Sequence, residues 1–162
     1  MLYRSYTPQD FPALYAIEEA CFEPSLRFSR AYLRQLVLAS QAATWVAEQQ
    51  NGPIAGFAIV EWARDDGSIV AYIETLEVIQ ELRGRGIGAE LLHRVESSAR
   101  AAGAVVLWLH ADAENAPALR LYQAQGFLCE GREENYYPQG RAALIYAKRL
   151  EGAWAEVDPN CR

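Results

Sequence analysis

The spacing of apolar side chains divides the chain into short stretches of period two and longer stretches of period near 3.6. Leu2 to Tyr6 reads as a short strand, and Thr7-Pro8 supplies a cap and first turn for a helix carrying Ala13, Ile17 and Ala20. A second helix begins at Ser29 and carries Leu33, Leu36 and Val37. Strands from Thr44 to Glu48 and from Ile54 to Trp62 flank a turn at Asn51-Gly52-Pro53, and Asp65-Asp66-Gly67-Ser68 turns the chain into an alternating strand, Ile69 to Val78. Ile87, Leu91, Leu92, Val95 and Ala99 return to helical spacing, with Gly103 as a stop. Val105 to Leu109 is a continuous apolar strand. Asn115 then caps a helix with Pro117 in its first turn and Gly126 after its last, and two strands around Pro138-Gln139-Gly140 complete the pattern. The order βααβββαβαββ predicts an α/β (α+β) fold, a mixed central sheet of about six to seven strands flanked by four helices. One domain is expected over residues 1–150, with Glu151 to Arg162, which shows little periodicity, as a C-terminal tail.

Composition narrows the setting. At 162 residues and 51% apolar content the chain can bury one core. A net charge of -6 argues against nucleic acid as a partner, since no basic excess could neutralise phosphates. Cys21, Cys129 and Cys161 have no paired spacing, which argues against a disulfide framework or a metal site and suits a reducing cytoplasm. With no long apolar run or signal-peptide pattern, the expectation is a cytoplasmic protein with no membrane partner, as a monomer or homodimer.

Against this acidic background, Arg83-Gly84-Arg85-Gly86-Ile87-Gly88 stands between a strand and a helix start. Glycines admit a ligand close to the backbone, and a helix start offers unpaired N–H groups and a positive dipole end. The run is neither G-x-G-x-x-G on a first strand nor a P-loop with Gly-Lys-Ser/Thr. It does read R-x-x-G-x-G, with Arg83, Gly86 and Gly88 in place. Asn115-x-x-Ala118-x-x-Leu121-Tyr122-x-x-x-Gly126-Phe127 follows in the second half. On these two motifs the chain resembles the GCN5-related N-acetyltransferase superfamily from Tyr3 to Leu150. The resemblance implies acetyl-CoA as cosubstrate and no metal. Its pyrophosphate would lie on the main chain of Arg83, Gly84, Arg85, Gly86, Ile87, Gly88 and Ala89. Its thioester and pantetheine would meet backbone donors on Leu76, Glu77 and Val78, freed by a bulge in that strand, and Asn115 and Tyr122 would complete the donor site.

Direct attack of an amine on a thioester needs a base, a stabilised oxyanion and an acid for the departing thiolate. His110 ends the strand that starts at Val105, and an imidazole takes a proton at neutral pH without special tuning; it could equally close the strand by bonding a carbonyl. In the resemblance His110 is the base and Tyr72 its partner, as in the N-terminal acetyltransferase that acts on methionine-starting proteins. Glu74 shares the strand face of Tyr72 and is the second candidate base, while Glu77 points the other way by alternation. Tyr122 shares a helix face with Asn115 and Ala118, and the resemblance makes it the acid. His93, Arg132, Glu133 and Glu134 read as ordinary surface, strand and turn charges.

The acceptor is read from the loops. Tyr136 and Tyr137 open the final hairpin, where a tyrosine pair lines the peptide groove in N-terminal acetyltransferases resembling this chain. Phe22 and Pro24 occupy the loop between the first two helices, but Glu23 separates them where that family has adjacent Phe-Pro. An α-amine titrates roughly 2.5 units below lysine, so presenting it neutral costs about 3 kcal/mol less. The expectation is therefore acetylation of protein N-terminal α-amines. A small-molecule amine or lysine side chain is the alternative acceptor. A non-enzymatic acyl-CoA sensor or partner subunit is the alternative outside catalysis.

Overall fold

The computed structural model describes residues 1–150; the tail expected from Glu151 onward lies outside the described residues. The elements run β1 (Leu2–Ser5), α1 (Phe11–Cys21), α2 (Arg30–Leu38), β2 (Ala42–Glu48), β3 (Ile54–Asp65), β4 (Ser68–Val78), α3 (Ile87–Ala101), β5 (Ala104–Asp112), α4 (Ala116–Ala124), β6 (Leu128–Glu133) and β7 (Ala143–Arg149). This is the order read from the sequence. The strands form one sheet, β1-β2-β3-β4-β5-β7-β6. Every neighbouring pair is antiparallel except β4 and β5.

Local chemistry sets the element ends. The Thr7 backbone N–H donates to Asp10 Oδ2 at 2.7 Å, so Pro8–Asp10 forms a 3-10 turn and α1 starts only at Phe11. Asp10 also takes the Arg4 guanidinium at 2.8 Å, which ties α1 to β1 and holds its carboxyl below the usual range. β3 runs past Trp62 to Asp65 because Asp66 and Gly67 both take positive φ (47° and 84°), making a tight hairpin whose twist suits the strands.

The sheet separates two cores. On one face α3 and α4 pack through Leu91, Leu92, Val95 and Tyr122 against Val60, Ile73 and Leu107. On the other, Leu14, Ile17, Leu33 and Leu36 of α1 and α2 cover Val46, Phe57 and Ile59. Full burial of each such aliphatic side chain contributes about 1.5–3 kcal/mol.

Two irregularities shape the site. Ile59 pairs with Thr75 but Val60 with Ile73, so Glu74 is an extra residue that bulges β4. β4 and β5 pair only from Ile69 with Ala104 to Tyr72 with Trp108, although β4 continues to Val78 and β5 to Asp112. Beyond Tyr72 the two strands part. One expectation is overturned: Cys129 is disulfide-bonded. The cysteine spacing therefore gives no argument for a reducing compartment. No helix among the described residues is long and apolar enough to cross a membrane.

Candidate active site

At the parted end of β4 the chain passes through the glycine turn into α3. Gly84 and Gly86 take φ of 75° and 83°, and a Cβ built on either meets nothing within 4 Å. The space beside both glycines is left unfilled by the rest of the fold. Gly86 occupies the N-cap position with no side-chain cap, so the first-turn N–H groups of α3 point outward with the positive end of a helix of 15 residues. That is a fit for a diphosphate.

Gly88 and the side chain of Arg83 also serve the packing of the turn itself. A Cβ on Gly88 would lie 3.3 Å from Leu121 Cδ2 and 3.6 Å from Leu76 Cδ2, so this glycine lets α3 sit close to β4 and α4. Arg83 turns back: its Nε donates to the Val78 carbonyl at 2.8 Å and its Nη2 lies 3.6 Å from Cys21 Sγ. It fastens the turn to the strand end. Arg85 is exposed, with Nη2 3.5 Å from the Glu81 carbonyl oxygen.

Where β4 and β5 part, Tyr72 and His110 meet. The tyrosine hydroxyl lies 2.9 Å from His110 Nδ1. Tyr136 stacks on the imidazole at 4.3 Å and 11°, while Trp108 packs edge-on against Tyr72 at 4.6 Å. Burial and the neighbouring Tyr136 push the Tyr72 hydroxyl far above its ordinary value, so it keeps its proton. His110 Nε2 faces Glu133 Oε1 at 3.1 Å, a partner read from sequence as an ordinary strand charge.

Glu74 lies on the same side, beside Glu61 of β3, which pairs with Tyr72, and near Tyr32 of α2. Burial and the Glu61 carboxyl push Glu74 up to about 8, so at neutral pH it is largely protonated. Because the bulge at Glu74 reverses the alternation, Glu77 faces α1 as well, against the expectation that it points away from the Glu74 face. It is 3% exposed and accepts from Thr75 Oγ1 at 2.7 Å. Glu77 Oε2 and Glu18 Oε2 are both buried without another partner, and burial first, with Glu18 beside it second, holds the Glu77 carboxyl well above its ordinary value. Glu18 Oε1 also accepts from the Phe28 N–H at 2.8 Å, tying the α1–α2 loop back to α1.

That loop carries Phe22, half-buried, and Pro24, exposed, and Arg27 braces it by donating to the Phe22 and Glu19 carbonyls at 2.7 and 2.8 Å. Tyr137 packs edge-on against Tyr136 at 4.9 Å. The Arg141 that follows pairs with Asp112 at 3.0 Å, clamping the hairpin to the end of β5. Opposite, Asn115 Oδ1 caps α4 by accepting from the Ala118 N–H at 3.3 Å. Tyr122 is buried in the α3–α4 core against Phe127, and burial pushes its hydroxyl up to about 12. The structure thus brings Tyr72, His110, Glu74 and Tyr136 onto one side of the parted strands and leaves Tyr122 on the other. His93 is exposed, as its position on the polar side of α3 implied.

Comparison with known proteins follows the same geometry. Over 104 residues the chain is 36% identical to streptothricin acetyltransferase of Streptomyces lavendulae, covering 64% of this chain and 53% of the relative. It thus spans about half the length of that protein. Over 131 residues it is 28% identical to the ribosomal protein bS18-alanine N-acetyltransferase of Escherichia coli, covering 80% and 82% of the two chains. The crystal structure of Arabidopsis thaliana NAA60 in complex with a bisubstrate analogue superposes with a TM-score of 0.82 at 25% identity, covering 94% of this chain and 99% of that one. Residues 11–127, from the start of α1 through α4, match the model of the acetyltransferase (GNAT) family, and the chain belongs to that family.

Proposed function

We propose that the protein transfers acetyl from acetyl-CoA to the N-terminal α-amine of a protein or peptide, by direct attack with no covalent acetyl-enzyme. The observation that carries this reading is the Tyr72–His110 hydrogen bond, 2.9 Å long, at the point where β4 and β5 part. Acetyl-CoA supplies an activated thioester when bound. The main-chain N–H groups from Gly84 to Ala89 would hold its diphosphate, and Leu76 to Val78, unpaired with β5, would meet the thioester carbonyl. The amine loses a proton toward Tyr72 and His110. Tyr122, protonated at neutral pH because burial holds its hydroxyl up to about 12, gives a proton to the departing sulfur.

The acceptor assignment rests on Tyr136 and Tyr137, which close over His110, and on the likeness to the alanine N-acetyltransferase. Glu74 is the alternative base: raised to about 8, it is mostly protonated at pH 7, and its ionised fraction is what could accept the amine proton. Peptides with a free α-amine should release thiol from acetyl-CoA. Acetylating the α-amine while leaving a lysine free should abolish the signal, and surviving activity would exclude N-terminal transfer. His110→Ala should lower turnover by roughly 10²- to 10⁴-fold with acetyl-CoA binding retained.

A second reading has its own observation. Glu61 and Asp65 line a groove of about 540 Å³ with Gln41, Tyr72 and Trp108, so a small cationic amine could be drawn to Tyr72. Turnover of polyamines or amino acids, with none for peptides, would favour it. Acetyl-CoA binding with no turnover on either panel would mark a non-catalytic sensor.

A further inference from the structure

We infer that Glu133 is a positioning residue for the transfer: it fixes the tautomer of His110 so that Nδ1 is left bare to accept the Tyr72 proton. This rests on the proposed reading of Tyr72 and His110 as the base. A carboxylate only accepts hydrogen bonds, and Glu133 Oε1 lies 3.1 Å from His110 Nε2. Neutral imidazole carries one N–H. That hydrogen therefore sits on Nε2, and Nδ1, 2.9 Å from the Tyr72 oxygen, is the acceptor. The other tautomer would set a bare Nε2 against a carboxylate oxygen, two acceptors facing each other.

The ring is also held in orientation. Tyr136 stacks flat on it, and Trp108 flanks it at 5.2 Å. Glu133 is the last residue of β6, three residues before Tyr136, so one hairpin positions both the imidazole and the groove aromatics. The bulge between Cys129 and Gly131 shifts the β6 register ahead of Glu133, which pairs with Ala143.

The proton path then balances. As the acceptor nitrogen sheds a proton to the Tyr72 oxygen, the Tyr72 O–H proton passes to His110 Nδ1. The acceptor, a neutral amine, forms the N–C bond with its lone pair as that proton leaves, the C–S bond breaks, and the sulfur takes a proton from Tyr122, which regains one from solvent before the next turnover. The imidazolium left behind is paired with Glu133, whose carboxylate keeps a hydrogen on Nε2, so release of the Nδ1 proton after the product leaves restores the starting tautomer.

The test uses the full chain with ¹⁵N-labelled histidine, assigned with a His110→Ala control. The parent should show the Nε2–H tautomer at His110. Glu133→Ala should give a mixture and lower kcat by about ten-fold, less than loss of the base itself, with the acetyl-CoA Kd unchanged. Glu133→Gln, whose amide oxygen can still accept from Nε2–H, should restore the tautomer and most of the rate. An unchanged tautomer in Glu133→Ala, or a rate loss matched by loss of acetyl-CoA binding, overturns the inference. If His110→Ala itself turns over normally, the base assignment is what fails.

Discussion

On β4, burial raises Glu74 and Glu77 above the usual carboxylate range and Tyr72 above the usual phenol range. Glu74 is raised from 4.5 to about 8 by burial first and by the Glu61 carboxyl second, with Tyr32 also nearby. The sign of the consequence follows. Between pH 4.5 and 8 the unfolded chain gives up this proton while the folded chain holds it, so folding loses stability as pH rises through that window. Glu74→Gln should match the parent in urea midpoint below pH 4.5 and exceed it increasingly up to pH 8. A constant difference across the range would mean that contacts, not ionisation, set the effect. Tyr122→Phe keeps the buried ring and removes only the hydroxyl. It should lower kcat by about 10²-fold at unchanged acetyl-CoA Kd, and equal losses in both would make Tyr122 a binding group instead. Tyr72, His110 and Tyr136 were legible through the family resemblance rather than the hydrophobic pattern, which by itself fits His110 equally as a residue closing a strand. Glu133 and the buried Glu77 were not, because the bulges at Glu74 and near Glu130 change register without any glycine or proline at the inserted residue to announce it.

Elements place these residues through close approaches that only glycine allows. A Cβ on Gly56 would stand 2.4 Å from the Glu77 carbonyl oxygen and 3.1 Å from Val78 Cα, backbone atoms that cannot rotate away. Gly56→Ala should therefore push the end of β4 off β3. It should cost about 1–3 kcal/mol in chemical denaturation and weaken acetyl-CoA binding together with stability. At Gly86 the space is open but φ is 83°, so Gly86→Ala costs about 1–2 kcal/mol through the backbone alone. Calorimetry on folded Gly86→Ala should show weaker acetyl-CoA binding, because relief of that strain turns the first N–H groups of α3 away. Unchanged affinity would remove the turn from the donor site. Element order and type followed from hydrophobic period and capping residues. The parting of β4 from β5 did not, because both strands keep their strand pattern past Tyr72 and Trp108, and pairing depends on what lies between them rather than on their own composition.

Across the whole molecule the sheet is two assemblies joined at a short seam. β1 to β4 pair continuously, β5, β7 and β6 pair continuously, and the seam holds only from Ile69 with Ala104 to Tyr72 with Trp108. α3 spans it from one face, packing Leu91, Leu92 and Val95 into a core that includes residues from both assemblies. A thioester carrier lying in the gap would bridge the two, so its binding energy is spent on the least hydrogen-bonded part of the sheet. At a hundred times its Kd, acetyl-CoA should raise the unfolding free energy by about 2.7 kcal/mol through linkage. The location of the gain is the sharper prediction. Amide exchange should slow most at Leu76 to Val78 and at Gly84 to Ala89, less along β6 and β7, and least in β1, because only the first two segments exchange solvent for ligand as a hydrogen-bond partner. Equal slowing across all strands would indicate global stabilisation from a site elsewhere, whereas protection confined to the α1–α2 loop would put the carrier on the acceptor side of the sheet.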